Sequence, residues 1–337
     1  MESIYKFVST LEVSDKMLEL VNLSNFSSDV EMIHNSPACL EAFLNHHHLD
    51  GLEMMFCAPW DRQVHRKEWI QGVHLRFWPN WLDFWRGDQK ALLREFPNEA
   101  AIAAYYGGQT REAWFAVYRE NIRVAVQSGA KYLVYHVSHA RLSELYNWKF
   151  SASDRDVIEA TIEVVNELAS EIPENVTLLF ENLWWPGLTL TDSKQASILL
   201  EGVRHANVGL MLDTGHLMNT NSRLRTQEEG VAYILHILSQ LGDYKRFVKG
   251  IHLHHSLSGE YIDKTRNAEA SSDLAIEQIM SHVMKIDQHL PFSTSEAQRI
   301  VEYVQPEYLV HEFLNTSLNG WVKNLLCQQQ ALKSVIG

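Results

Sequence analysis

The sequence predicts an α/β fold: a closed (β/α)8 TIM barrel formed as one domain over residues 1–337, with an aromatic-rich loop after the third strand. Three observations lead there. Apolar runs that read as strands buried on both faces alternate with helical patterns, which implies parallel strands. Eight such runs can be counted, and eight favour closure over an open sheet. No Pro-, Gly- or Ser-rich linker and no charge block divides the chain, and most of the runs end in Asp, Glu or His.

Taken in order, residues 4–10 form a weak first strand, and polar, Ser/Asn-rich sequence follows to about Asn35. Ser36 and Pro37 open a short helix through Leu44, Ser as its cap and Pro in its first turn. His46, His47 and His48 close it. Consecutive helical side chains point about 100° apart, so this trio reads as a solvated helix end rather than a metal site. Strand two is 51–56, with Glu53 inside it, and strand three is 72–77, containing His74. The stretch after it packs Trp78, Trp81, Phe84 and Trp85 around Pro79 and Asn80. It either folds back as a hydrophobic plug or walls a substrate pocket.

Residues 110–128 form an amphipathic helix stopped by Gly129. Strand four, 131–137, ends at His136 with His139 beyond, and a helix over 154–172 stops at Pro173. Strand five, 176–180, leads into Glu181-Asn182-Leu183-Trp184-Trp185. A helix over 192–203 precedes strand six, whose apolar run from Val208 ends in Asp213-Thr214-Gly215-His216. A helix over 226–241 leads to strand seven, 248–253, followed by His254 and His255. A polar loop spans 257–272, and helices fill 274–288 and roughly 295–304. Strand eight, 308–311, ends in Glu312, and a last helix covers 321–334.

Composition narrows the function. The 46% of hydrophobic residues suffices for a large core, and 42 acidic against 29 basic residues leave a formal charge of −13. That balance disfavours non-specific attraction to nucleic acid or anionic membrane, although a local basic groove could still sit inside it. Cys39, Cys57 and Cys327 are odd in number and far apart, so they form neither a disulfide framework nor a thiolate metal site. The N-terminus carries no secretory pattern, and no apolar run approaches the length of a membrane span. The expectation is a cytoplasmic protein with a small-molecule substrate and no membrane partner, and homo-oligomerisation stays open.

At the C-terminal strand ends stand His74, His136, Glu181, Asp213 with His216, His252 with His254, and Glu312. In a closed barrel these ends converge on one mouth. Carboxylates crowded there raise one another's pKa unless something positive sits among them. Imidazoles mixed with carboxylates form a ligand set for Zn2+, Mn2+ or Fe2+. A single His or Asp at a strand end is usually a hydrogen-bonded polar group. A whole series at the ends of six successive strands points to metal. Alternation puts His252 and His254 on one face, and turns His311 outward if Glu312 points in.

The strings Leu-Phe-Glu181-Asn182, Leu-Asp213-Thr-Gly-His216, Ile-His252-Leu and His-Glu312-Phe resemble motifs of the xylose-isomerase-like barrels. That superfamily joins sugar isomerases and epimerases, some dehydratases, and abasic-site nucleases of the endonuclease IV type (AP endonuclease family 2). The resemblance spans roughly residues 51–313. It implies that Glu181, Asp213, His252 and Glu312 are the four metal ligands shared by the isomerase and epimerase branches. The nuclease branch carries further ligands, which His74, His136, His216 and Asp263 resemble. Asp263 stands in Asp263-Lys264-Thr265, where the nuclease pattern has Asp, a basic residue and His, so Thr265 breaks the third metal site. His254 and His255 depart from the usual residues after His252, and whether His252 or His254 is the ligand stays open. One to three divalent ions are implied, Zn2+ or Mn2+ first, then Fe2+, Co2+ or Mg2+.

Read as an isomerase or epimerase of a small sugar or polyol-like carbonyl compound (or a related dehydratase), the barrel uses Glu181 and Glu312 as an acid/base pair. They would stand on opposite sides of the substrate and move a proton at carbon, while His216 polarises a substrate oxygen. Trp78, Trp81, Trp184 and Trp185 would cover the apolar faces of the substrate and exclude water. This reading is preferred. The alternative is an endonuclease IV-like multinuclear metal phosphodiesterase, with Lys264 and Arg266 as the nearby cations for phosphate. The charge of −13, the missing His at position 265 and the lack of a Lys/Arg-rich loop weigh against it. A non-catalytic barrel fits badly, because buried charge at the mouth is costly without a metal.

Overall fold

Eight parallel strands close on themselves in sequence order in the computed structural model, which describes residues 16–266 and 276–335. They are β1 (Leu18–Ser24), β2 (Gly51–Met55), β3 (Ile70–His74), β4 (Tyr132–His136), β5 (Thr177–Glu181), β6 (Val208–Asp213), β7 (Val248–Leu253) and β8 (Tyr308–His311). Closure runs through β1 on β8, where Leu18 lies beside Tyr308 and Val21 beside His311. The chain is thus a (β/α)8 barrel of the kind the alternation predicted. β2 to β8 lie where the apolar runs placed them, within a residue or two at most ends.

The first strand is different. The expected strand 4–10 lies outside the described residues, and β1 falls inside the stretch read as polar. Glu19 and Asn22 interrupt its apolar run, but both have partners that only the closed barrel supplies. Glu19 Oε1 accepts from Gln329 Nε2 at 2.7 Å and lies 2.8 Å from His311 Nε2. Asn22 bonds both the carbonyl (3.1 Å) and the N–H (3.0 Å) of Phe313, pinning the end of β1 to the residue after Glu312. His311 therefore points away from the mouth, as alternation requires.

The barrel interior is filled by side chains, among them Leu20, Val134, Leu179, Met211 and Val310. Tyr132 and Tyr308 cross it with ring centroids 4.2 Å apart. β3 must carry Gly72 here, because a Cβ would sit 2.0 Å from the Tyr132 ring. Outside the barrel, helix Arg111–Ser128 starts on a Thr110 cap and ends at Gly129 in the left-handed conformation. Helix Asp154–Leu168 carries a reciprocal capping box between Ser153 and Asp156.

Among the short helices that sequence patterning missed are Leu82–Arg86, Gln89–Glu95 and Glu99–Tyr106. The first lies within the tryptophan stretch and the other two follow it, and together they define its role. Trp81 stacks on Trp114 with centroids 6.0 Å apart, and its indole N–H donates to the Ser138 carbonyl at 2.7 Å. Phe84 stacks on Tyr106 at 3.9 Å, and the Trp78 indole donates to the Tyr105 carbonyl at 2.8 Å. The stretch is chiefly a plug, and only Trp78 of the two proposed substrate-facing rings also borders the barrel-mouth cavity.

The expected polar loop over 257–272 begins instead as helix Gly259–Thr265, and part of that range lies outside the described residues. Part of the helix expected over 274–288 lies outside them as well; Ile276–Ile286 is helical. At the end of helix Pro37–His46 the histidine trio splits: His46 and His48 are exposed, but His47 is buried, with its ring 4.9 Å from Phe43. Among the described residues no helix is long and apolar enough to cross a membrane.

Candidate metal centre

The C-terminal ends of the strands, with the segment after helix Ile276–Ile286, bring His, Asp and Glu side chains into three adjacent groups. These are His74, His136 and Glu181; Glu181, Asp213, His252 and Glu312; and His216, His254, Asp287 and His289. Glu181 belongs to two of them. It ends β5, a strand buried along its whole length, and is itself fully buried.

In the first group Glu181 Oε2 lies 3.0 Å from Nε2 of both His74 and His136, and those nitrogens are 2.9 Å apart. His74 places Nδ1 2.9 Å from the Leu75 carbonyl, which can only accept. Its Nδ1 therefore carries the hydrogen, and the lone pair of neutral His74 Nε2 faces the other two atoms. Those three atoms meet at one point, and a hydrogen or a cation must sit among them.

In the middle group His252 turns Nδ1 inward, 3.3 Å from Glu181 Oε1, 3.4 Å from Glu312 Oε2 and 3.9 Å from Asp213 Oδ2. Its Nε2 is held 2.9 Å from Glu53 Oε1, and Glu53 in turn accepts from the Tyr132 hydroxyl at 2.8 Å. A carboxylate behind a histidine in this way fixes the ring and raises its basicity toward a cation. His252 falls in the middle group and His254 in the third, where His254 Nε2 also stands 2.9 Å from Asp213 Oδ2 and 3.6 Å from Glu312 Oε2.

The third group is built by the Asp213-Thr-Gly-His216 turn. Asp213 Oδ1 caps the helix Thr214–Asn219 by accepting from the His216 N–H at 2.6 Å. Position 215 is Gly because a Cβ would stand 2.1 Å from the His254 ring. His216 places Nδ1 3.0 Å from the Asn182 carbonyl and presents Nε2 3.2 Å from Asp287 Oδ2. The same Asp287 oxygen is 2.7 Å from His289 Nε2, and the His289 ring stacks on His254 at 4.0 Å. His289 holds a left-handed backbone (φ 47), a cost of about 1 kcal/mol or more for a residue that is not glycine.

Burial and charge pull these groups apart. Burial pushes Glu181 up, but His136 and His252 outweigh it and hold the carboxyl well below the usual range. Burial lifts Asp213 to about 6 and raises Glu312. Against its burial, Asp287 raises His289 to about 9, while burial drops His136 to about 4. Burial and the neighbouring His289 push His254 well below the ordinary imidazole value. A proton thus collects on His289 beside Asp287, while burial keeps His136 and His254 neutral even though each faces a carboxylate, and a divalent ion would supply the missing positive charge there. The atoms His254 Nδ1, His289 Nδ1, Asp287 Oδ1 and Glu312 Oε2 are buried with no hydrogen-bond partner. Orphaned donors and acceptors of this kind, in N/O groups of three and four, fit divalent metal ions.

Four predicted site residues are not brought here: Asp263, Lys264, Arg266 and Trp81. Helix Gly259–Thr265 buries Ile262 and so turns Asp263 and Lys264 outward. Asp263 pairs with Arg225 at 3.7 Å, Lys264 with Glu260 at 3.9 Å, and Arg266 lies over the Trp148 ring at 4.9 Å. None of the three lines the cavity. The place expected for Asp263 is held by Asp287, in Asp287-Gln288-His289. That Asp-x-His spacing was the available signal, hidden by Gln where the pattern has a basic residue. Glu53 was visible inside strand two but had no role assigned to it. Trp81 lies in the plug and off the cavity, whereas Trp184 and Trp185 line it, the Trp184 ring 5.0 Å from that of His216.

Above the three groups opens a cavity of about 1080 Å3, with Glu53, His74, His136, Asp287 and Glu312 on its floor. A family model for the xylose isomerase-like TIM barrel matches residues 47–309. No curated protein matches the chain. Among solved structures, L-ribulose 3-epimerase gives a TM-score of 0.53 at 13% identity, covering 95% of this chain and 95% of that one. D-psicose 3-epimerase from Clostridium cellulolyticum H10, with D-tagatose, gives 0.50 at 13% identity over 95% and 99% of the two chains. For 3-keto-D-glucoside 4-epimerase from E. coli the values are 0.50 and 9%, over 94% and 100%. At such identities the likeness is one of fold.

Proposed function

The chain belongs to the xylose isomerase-like TIM-barrel family, and from that premise we propose that it is a multinuclear metal-dependent hydrolase acting on a phosphate ester of a small molecule. The observation that carries this is the complete third group: Asp287 and His289 stand beside His216 and His254, next to two groups that share Glu181. Divalent ions held there would supply Lewis-acid charge at a phosphoryl oxygen and make water acidic enough to attack near neutral pH. The chain's own residues orient and shuttle. Glu53 and the Asn182 carbonyl fix the rings of His252 and His216. Glu312, lifted by burial, borders the cavity and is placed to take or give a proton at the reacting oxygen. Trp184 and Trp185 narrow the site and keep bulk water out. A nucleic-acid strand is a poor substrate, since Lys264 and Arg266 lie away from the mouth and the formal charge is −13.

A second reading, the metal-dependent sugar isomerase or epimerase, is favoured by one observation. Glu181, Asp213, His252 and Glu312 form a four-donor group by themselves, with two carboxylates available for proton transfer at carbon. That chemistry needs neither His74 nor Asp287. The two readings part on metal counting with purified His74→Ala and Asp287→Asn variants. Loss of about one ion in each, together with loss of bis(p-nitrophenyl) phosphate cleavage, supports the hydrolase. Unchanged metal content, with hydrogen–deuterium exchange at the carbon next to a ketose carbonyl, sinks it in favour of the isomerase.

A further inference from the structure

The walls above the metal-ligand groups are chemically unlike the floor. Phe26, Phe77, Met280, Met284 and Leu314 are all large, apolar and exposed, by 58, 37, 48, 38 and 50% respectively. All five line the same cavity. They come from four separate parts of the chain: the turn before helix Ser27–Met32, the loop after β3, helix Ile276–Ile286 and the loop after β8. Exposed apolar side chains scattered singly need no explanation, but a ring of them around one opening does. Below the rim the wall continues with Met32, Met55, Leu183, Trp184, Ile279 and Phe313.

Charge away from the floor is sparse and already engaged. Asp29 accepts from the Ser24 N–H at 3.0 Å and from its hydroxyl at 2.6 Å, and the Arg76 guanidinium lies 5.2 Å over the Trp78 ring. A free sugar or sugar phosphate would need convergent polar partners along these walls. A cavity of about 1080 Å3 is also larger than such a molecule fills.

We propose that the substrate is an amphiphile, with a small anionic or hydroxylated head on the carboxylate–imidazole floor. Its aliphatic or aromatic body lies along the Met/Phe/Trp wall and emerges between Phe26, Phe77, Met280 and Leu314. This deepens the hydrolase reading and rests on it only for the chemistry of the head.

The test is calorimetric titration of the metal-loaded protein with n-alkyl phosphates from ethyl to decyl, and with n-alcohols of the same lengths. Each methylene buried against the wall is expected to tighten binding about two- to fourfold. Met280→Gln and Leu314→Asn, both at the exposed rim, flatten the gain for the longer chains and leave metal content unchanged. A dissociation constant that does not change from ethyl to decyl overturns the proposal. So does a flat series accompanied by sedimentation with phosphatidylcholine vesicles, which would make the rim a membrane-docking surface. A length dependence shared by alcohols and phosphates, with no advantage to the phosphates, supports the amphiphile and refutes the hydrolytic head instead.

Discussion

Glu53→Gln isolates the support behind one metal ligand. The Glu53 carboxylate stands 2.9 Å from His252 Nε2 and is almost wholly buried, while His252 Nδ1 faces Glu181, Asp213 and Glu312. Gln keeps the volume and one acceptor oxygen, so the ring stays oriented, but the negative charge that makes His252 a stronger donor is gone. Losing such a partner typically weakens metal binding 10- to 100-fold, or about 1.4–2.8 kcal/mol. The effect should fall on one ion, because Glu53 touches a ligand of the middle group alone among the three groups. Chelator competition followed by elemental analysis reads it: one ion should leave at a 10- to 100-fold lower chelator concentration, the others within a few-fold of wild type. Tyr132→Phe, which removes only the hydroxyl that donates to Glu53, serves as the milder control. Equal retention of every ion in Glu53→Gln would refute the assignment of His252 Nδ1 to the middle group.

Two further predictions concern residues away from the centre. Changing His46, His47 and His48 together to Gln should leave metal content unchanged, since none of them belongs to a ligand group; loss of an ion would overturn that. His139 gives the fold a pH dependence: its Nδ1 accepts from the Trp81 and Leu82 N–H groups at 3.2 and 3.3 Å, and burial lowers its pKa from 6.5 to about 4. As pH falls through 6.5 the unfolded chain takes up a proton that the folded chain refuses until about 4, so stability drops across that window. The His139 share of the loss from pH 7 to pH 5 is about 2 kcal/mol, read as the part of the shift in urea midpoint that His139→Asn should remove. An equal shift in that variant would show that other groups set the acid limb.

How much of this was legible follows from where each residue sits. Glu181, Asp213, His252 and Glu312 close apolar runs, and a run that stops at a charged residue is visible in one dimension. β1 was not visible, because Glu19 and Asn22 look like surface residues until Gln329, His311 and Phe313 come round to meet them. Asp287 and His289 follow a helix rather than a strand, so the rule that located the other ligands passed over them. The resemblance to the nuclease pattern lent Asp263 a role, but helix Gly259–Thr265 turns it away from the barrel axis. Trp81 and Trp184 have similar neighbours in sequence. Only packing tells the ring stacked on Trp114 from the ring beside His216.

The central claim is a multinuclear centre at the barrel mouth, and elemental analysis of the purified wild-type chain tests it most directly. The three ligand groups predict three divalent ions per chain. A single ion, unchanged after incubation with excess Zn2+ or Mn2+, would contradict the multinuclear centre and the hydrolase built on it.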